Sequence, residues 1–365
     1  MKIILFANTD WYLYNFRLPL AQALKARGDE VLLLSPAGEY AQKLAALGFR
    51  WQEFALDRKG TNPLVDGLAL LRLWQLYRRE KPDLAHHFTV KCVLYGSLAA
   101  HLAGVRRIVN SVTGLGYVFV SQKKWLRTLV SALYRLALGK TWVIFQNPDD
   151  QAAFLEMKLV DTARLALIRG SGVDTERFQA TPEPQGTPVV MLPARLLWDK
   201  GVGEFVEAAK ILPARGIQAR FALVGATDAG NPSAVPQETL REWERQNLIE
   251  WWGWQDDMAA VYAQSNIVCL PSYREGVPKT LIEAAACGRA LVATDVPGCR
   301  EVVQNGLNGL LVDVKNGAAV ADALQTLLEN PALRQQMGAH GRQLAVDEFD
   351  VRRVVQSTLE FYKKD

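Results

Sequence analysis

Cysteine and histidine are scarce, with four of each among 365 residues. Cys92, Cys269, Cys287 and Cys299 are widely spaced, without a Cys-x-x-Cys pair or interleaved histidines. Neither a zinc site nor a disulfide framework is expected, and a reducing compartment fits. No stretch approaches the ~18 uncharged apolar residues that a membrane-spanning helix needs. The opening run, Ile3 to Ala7, is too short for the apolar core of a secretory signal. These absences lead to the expectation of a cytoplasmic protein. Charge of one sign is also in short supply. A net +4 is compatible with anionic ligands or an anionic membrane surface, but too weak to argue for nucleic acid as a partner. The Gly-x-Gly-x-x-Gly fingerprint is missing as well: Gly114-Leu115-Gly116 and Gly170-Ser171-Gly172 both stop short of it. A nicotinamide or flavin oxidoreductase thereby loses its main support.

What is present describes a soluble globular chain, 49% hydrophobic and 22% charged, too long for one ordinary core. Short apolar runs alternate with helical patterns almost throughout. Strands are expected at 2–8, 31–36, 50–55, 84–88, 107–112, 143–146 and 164–168, then at 189–194, 220–225, 249–253, 267–271, 290–295 and 309–312. Helices are expected between them, for example at 18–27, 68–80, 202–212 and 317–329. Strands apolar throughout imply a sheet covered on both faces, and strict alternation with helices implies parallel order. Residues 180–188 carry three prolines and a glycine and read as a linker between two complete βα series. The fold class expected is α/β: two doubly wound parallel-sheet domains, residues 1–180 and 181–346, with a C-terminal helix in 347–365 packing back on the first.

The most informative segment is Arg274-Glu275-Gly276-Val277-Pro278-Lys279-Thr280-Leu281-Ile282-Glu283. One carboxylate falls in a loop after a strand and a second on the helix that follows. Between them a Gly/Pro turn leads backbone N–H groups into a helix start, where unpaired donors and a partial positive charge suit a phosphate. Two acids beside such a cradle suit an anionic ligand bearing hydroxyls, as in a nucleotide sugar. An ordinary strand-to-helix junction with two solvated glutamates would look the same. The first βα junction after the linker adds Arg195 and Lys200, both expected at the sheet edge that carries Glu275. Together they could neutralise a departing diphosphate, though two solvated cations flanking a loop would read alike.

Arg195, Lys200, Glu275, Glu283 and the run from Ala284 to Gly298 resemble the signature of retaining glycosyltransferases of family 4. The resemblance covers the whole chain in layout and is most specific over residues 188–312. Tyr14-Asn15-Phe16-Arg17-Leu18-Pro19 resembles bacterial enzymes that add N-acetylhexosamines to undecaprenyl-diphosphate-linked glycans. The resemblance implies the GT-B fold, two Rossmann-like domains facing across a cleft, which closes to exclude water. It places the acceptor in the N-terminal domain and the nucleotide-sugar donor in the C-terminal one, and makes residues 351–362 the helix that crosses back. By it, Glu283 binds the ribose hydroxyls, Glu275 lies near the transferred sugar, and Arg195 and Lys200 bind the diphosphate. Backbone around Pro278, Lys279, Thr280 and Leu281 forms the phosphate cradle, and Trp254 lies near the nucleobase. Tyr14, Asn15, Arg17, Thr113 and Gly114 fall on the acceptor side. The activity implied is retaining transfer from a UDP-sugar to a hydroxyl of a lipid-linked glycan, in assembly of bacterial surface polysaccharide or glycoprotein glycan. No cofactor beyond that co-substrate is implied.

Two departures bear on specificity. Thr113 stands where many relatives carry a histidine that touches the donor sugar, so mannose or glucose specificity is not carried over. Asp10-Trp11-Tyr12-Leu13 replaces the usual glycine pair of the first loop, and shaping of the acceptor site and a local packing solution fit it equally. Other features read as structural: Asp149-Asp150 and Asp256-Asp257 lack a metal-site context, and no metal is expected. His86-His87 reads as packed or solvated in preference to acceptor-binding, and the ten tryptophans as core and cleft wall in preference to a sugar-stacking platform. Residues 123–136 form a basic amphipathic pattern. Insertion at the cytoplasmic face of the inner membrane and a plain sheet-covering helix both fit it. A nucleotide-sugar 2-epimerase and a non-catalytic two-lobed binding protein stay open as alternatives.

Overall fold

The computed structural model describes residues 1–57, 62–114, 124–228 and 230–364. They divide into two compact units, residues 1–171 with 354–365, and residues 172–353. In the first unit, β1 (Lys2–Phe6), β2 (Glu30–Ser35), β3 (Arg50–Glu53), β4 (Leu84–Phe88), β5 (Arg107–Val112), β6 (Trp142–Phe145) and β7 (Leu165–Leu167) form one sheet, ordered β3-β2-β1-β4-β5-β6-β7. In the second, β8 (Val189–Pro193), β9 (Arg220–Val224), β10 (Glu250–Gly253), β11 (Ile267–Leu270), β12 (Ala290–Thr294) and β13 (Gly309–Val312) are ordered β10-β9-β8-β11-β12-β13. Neighbouring strands pair in parallel in both sheets. Each lies within two residues of the bounds expected from the sequence.

Uninterrupted apolar strands arise because each sheet feeds two cores. Along β8, Val190 and Leu192 join one cluster while Met191 joins the other, and along β12 Ala290 and Val292 oppose Leu291 and Ala293 in the same way. In the first sheet Ile3 and Leu5 face one layer, Ile4 and Phe6 the other. Burying one such side chain contributes about 1.5–3 kcal/mol, so an apolar residue at every position of these strands is favoured.

The boundary between the units falls at residues 171 and 172, nine residues before the expected one at 180 and 181. Val173 and Phe178 are buried in the second core, and Val173 pairs with Asp350. Residues 172–180 are therefore the opening segment of the second unit. At the far end, residues 347–350 finish the helix Pro331–Glu348 and make that bridge, and the first unit takes the chain back only from Val354. The helix Val351–Phe361 and the residue after it then join the first core: Phe361 stands edge-on to Trp142 at 5.4 Å, and Val354 and Tyr362 are buried there.

His86 and His87 are fully packed. His87 contacts Asn110 Oδ1 (2.9 Å) and Tyr77 Oη (3.0 Å), and burial lowers its pKa to about 4. Asp149 and Asp150 open the helix Pro148–Glu156, capped by Asn147. Among the described residues no group of three His, Cys, Asp or Glu is placed to hold a metal, and no helix is long and apolar enough to cross a membrane. The helix Lys124–Leu138 exists, with Leu133 packed inward and Leu136 exposed, but Lys123 and the side chains of Trp125, Arg127 and Leu129 lie outside the described residues.

Candidate functional site

The strand order reverses between β8 and β11: from β8 the chain moves outward to β9, from β11 to β12. Open α/β sheets place ligands beyond the carboxyl ends of such a pair. Both sequence motifs emerge there. After β8 come Arg195, a short 3-10 turn Trp198–Lys200 and the helix Val202–Ala214. After β11 come Glu275 and the helix Lys279–Ala286.

Backbone contacts lock the two loops together. Tyr273 N donates to Asp199 O at 2.9 Å, and Ser272 Oγ donates to the same carbonyl at 3.2 Å. Gly201, at φ 75°, ends the 3-10 turn against Pro271, where a Cβ would stand 2.1 Å from the carbonyl oxygen. Gly298, at φ 83°, backs the other side of the loop: a Cβ there would stand 2.1 Å from Gly276 O. Only glycine meets both demands, positive φ and close backbone approach. Tyr273 Oη adds a 2.7 Å bond to Glu204 Oε1, and its phenol pKa is raised by burial and by that carboxylate.

Held this way, Lys200 Nζ donates to Glu275 Oε1 at 2.5 Å, although the two are 75 residues apart. Both are mostly buried, with side chains 20% and 13% exposed, so the pair is shielded yet reachable. An ammonium has three donors, and one carboxylate does not exhaust them. One turn into the next helix, Glu283 is 8% exposed. Its Oε2 accepts from Tyr262 Oη at 3.2 Å, and its Oε1 lies 3.6 Å from Lys279 Nζ. Burial raises the pKa of this carboxyl, while Lys279 and Tyr262 pull it back in part. Tyr262 also bonds Thr280 O at 3.1 Å, which ties the first turn of the helix to the carboxylate. Pro278 caps that turn without a side-chain acceptor, and its carbonyl takes Leu281 N and Ile282 N. The amide of Thr280 belongs to the set that a helix leaves without intrahelical partners.

The remaining candidates are placed differently. Arg195 is 60% exposed and pairs with Asp228 at 3.2 Å, not with the Lys200–Glu275 pair. Trp254 follows β10, 53% exposed, with Nε1 on Asp256. In the first unit Tyr14, Asn15 and Arg17 share the π-helical turn Leu13–Arg17 after β1, while Thr113 and Gly114 follow β5. Residues 115–123, which follow, are outside the described set. Sequence reasoning missed Tyr262, the partner of Glu283, and Asp228, the partner of Arg195. A buried tyrosine in the short helix Met258–Tyr262 carries no spacing signal toward residue 283.

Two parallel-sheet units, with a paired lysine and glutamate at the second sheet's switch point, describe a GT-B enzyme. Residues 2–147 match the family described as glycosyl transferase 4-like, and residues 173–344 match glycosyl transferases group 1. The chain belongs to these GT-B glycosyltransferases. An N-acetyl-α-D-glucosaminyl L-malate synthase of Bacillus anthracis is 30% identical, over 92% of this chain and 89% of that relative. An N,N'-diacetylbacillosaminyl-diphospho-undecaprenol α-1,3-N-acetylgalactosaminyltransferase of Campylobacter jejuni is 29% identical over 100% of this chain and 99% of its own length. Among solved structures, HepE of Anabaena in complex with UDP-glucose superposes with a TM-score of 0.82 at 20% identity, covering 99% of both chains.

Proposed function

We propose that this glycosyltransferase is a retaining, metal-independent hexosyltransferase. It moves a sugar, an N-acetylhexosamine, from a UDP-sugar to a hydroxyl of a glycan carried on a lipid diphosphate. The observation that carries the reading is the 2.5 Å Lys200–Glu275 pair beside a helix start that carries the buried Glu283 one turn in. The UDP-glucose in the Anabaena neighbour supports the donor, and the lipid-linked acceptor and N-acetylgalactosamine in the Campylobacter relative's name support the rest.

Each group then has a task. Glu283 accepts the ribose hydroxyls, and the amides after Pro278 hold the distal phosphate. Lys200 meets the charge that grows on the leaving diphosphate, a preorganised interaction of the kind that typically lowers a barrier by about 3–4 kcal/mol. Glu275 orients Lys200 and the donor hydroxyls. Arg195 joins the diphosphate by leaving Asp228; an exposed ion pair contributes only ~0–1 kcal/mol, so the swing costs little. Trp254 flanks the base. The departing phosphate oxygen takes the acceptor hydroxyl's proton on the same face, which preserves configuration without a carboxylate nucleophile. Tyr14, Asn15, Arg17, Thr113 and Gly114 serve the acceptor. Peripheral attachment to an anionic membrane surface completes the reading. It is supported by Leu64, Leu68 and Leu71, which share an exposed face of the helix Pro63–Glu80 with Arg78.

The test is incubation with UDP-N-acetylhexosamines, with and without a short-chain diphosphate-linked acceptor, followed by NMR of the products. An α-linked product formed only with acceptor supports the reading. Epimerised donor in the acceptor-free arm would replace it with a 2-epimerase, and inertness in both arms with tight UDP binding would leave a binding protein.

A further inference from the structure

The first sheet has a switch point of its own, between β1 and β4. Arg17 sits there. It closes the turn that follows β1, and its guanidinium lies 4.4 Å from the ring centre of Phe88, the last residue of β4. Only 6% of the residue is exposed. Its surroundings are apolar or neutral: Nη2 donates to Tyr12 Oη at 2.8 Å, and the Tyr12 ring lies 5.5 Å away. His86 is held neutral by burial and by the nearby Arg17 charge, and its ring nitrogens are engaged by Tyr362 Oη and Ser111 Oγ. The acid in the same loop is turned elsewhere. Asp10 accepts from the amides of Trp11, Tyr40 and Ala41, at 2.8, 2.8 and 2.9 Å. Among the described residues no carboxylate lies within ion-pair distance of Arg17, and its buried Nε makes no hydrogen bond.

A cation so enclosed is costly unless an anion reaches it. Stacking on Phe88 and the Tyr12 hydroxyl offset part of that cost and hold the guanidinium in place, but neither supplies a negative charge. The residue after Phe88, Thr89, opens the helix Val90–Ala103, whose positive end adds to the same local field. We propose that Arg17 anchors an anion-binding subsite at the β1/β4 switch point that grips the diphosphate of the lipid-linked acceptor. The identity of that anion rests on the acceptor reading above; the subsite itself rests on the buried guanidinium, which no carboxylate among the described residues neutralises.

Calorimetry with inorganic pyrophosphate, at saturating UDP so that the donor site is filled, reads the subsite without turnover. Wild type binds pyrophosphate; Arg17→Gln weakens it at least tenfold with UDP affinity unchanged, and Arg17→Lys recovers part of the loss. Equal pyrophosphate affinity in wild type and Arg17→Gln overturns the proposal, as does a parallel loss of UDP affinity in both variants, the mark of a merely structural role. Transfer assays identify the source of the anion. For an acceptor sugar on a short alkyl diphosphate, KM rises tenfold or more in Arg17→Gln; for the same sugar as a plain alkyl glycoside it does not change. Equal rises with both acceptors, or pyrophosphate binding without any preference for the diphosphate-linked one, would overturn the acceptor assignment in favour of free phosphate. If no acceptor is glycosylated while pyrophosphate still binds through Arg17, the transfer reading falls and the anion subsite stands.

Discussion

Replacing Glu283 with glutamine should loosen UDP and leave the unliganded protein at least as stable. The carboxylate is 8% exposed, with one hydroxyl donor at 3.2 Å and an ammonium at 3.6 Å. A carboxylate offers about four acceptor sites, so room remains for ribose hydroxyls. Each hydrogen bond to a charged group contributes about 1.5–3 kcal/mol. Glutamine keeps one acceptor oxygen and loses the charge, so a net loss near one such bond is expected, about 10–150-fold in Kd. Stability should move the other way. Burial raises the folded-state carboxyl pKa above its ordinary 4.5, so the stability linked to it is present at low pH and lost as pH rises through the folded value. Glutamine does not titrate, so the variant's Tm relative to wild type should climb from about pH 5 to pH 8. Calorimetry with UDP and thermal melts across that range measure both effects. Wild-type UDP affinity in Glu283→Gln, or an unliganded variant less stable than wild type at pH 8, would refute the reasoning.

Lys200→Ala and Glu275→Ala should each lower turnover about 10²–10³-fold with the fold kept. The double variant should cost far less than the product of the two, because each single change leaves the other charge unpaired in a shielded site; steady-state assays and circular dichroism check this. Gly298→Ala should destabilise the second unit by more than about 2 kcal/mol and abolish transfer, since a Cβ meets Gly276 O at 2.1 Å from a backbone at φ 83°; a denaturant melt showing no loss would contradict it. Activity should survive EDTA, because Lys200 with the helix amides supplies the charge a divalent ion would otherwise bring; loss restored by added magnesium would show otherwise.

Much of the fold was legible in the sequence because the physics that sets it is local. Apolar runs such as Val189–Pro193 and Ile267–Leu270 are buried along their whole length, which only a sheet covered on both faces requires. The domain boundary was less legible. Prolines in 180–188 mark a segment that cannot continue a helix or central strand, yet whether residues 172–180 belong before or after it depends on where Val173 and Phe178 find a core. The site divides along the same line. Glu275 and Glu283 were visible through the Gly/Pro turn between them, and Lys200 through its place after a strand. The pairing of Arg195 with Asp228, by contrast, has no signature in spacing.

Composition and pattern by themselves determined the class: two parallel α/β units, each with charged groups at strand exits. Those features follow from burial and from helix-end chemistry, which act over a few residues. Which charges meet was decided by tertiary structure alone. Lys200 reaches Glu275 because β8 and β11 are neighbours and Gly201 lets their exit loops touch, while Arg17 meets no carboxylate among the described residues because Asp10 turns to the amides of Tyr40 and Ala41. Such choices depend on distances across the sheet, and a linear order of residues does not contain them.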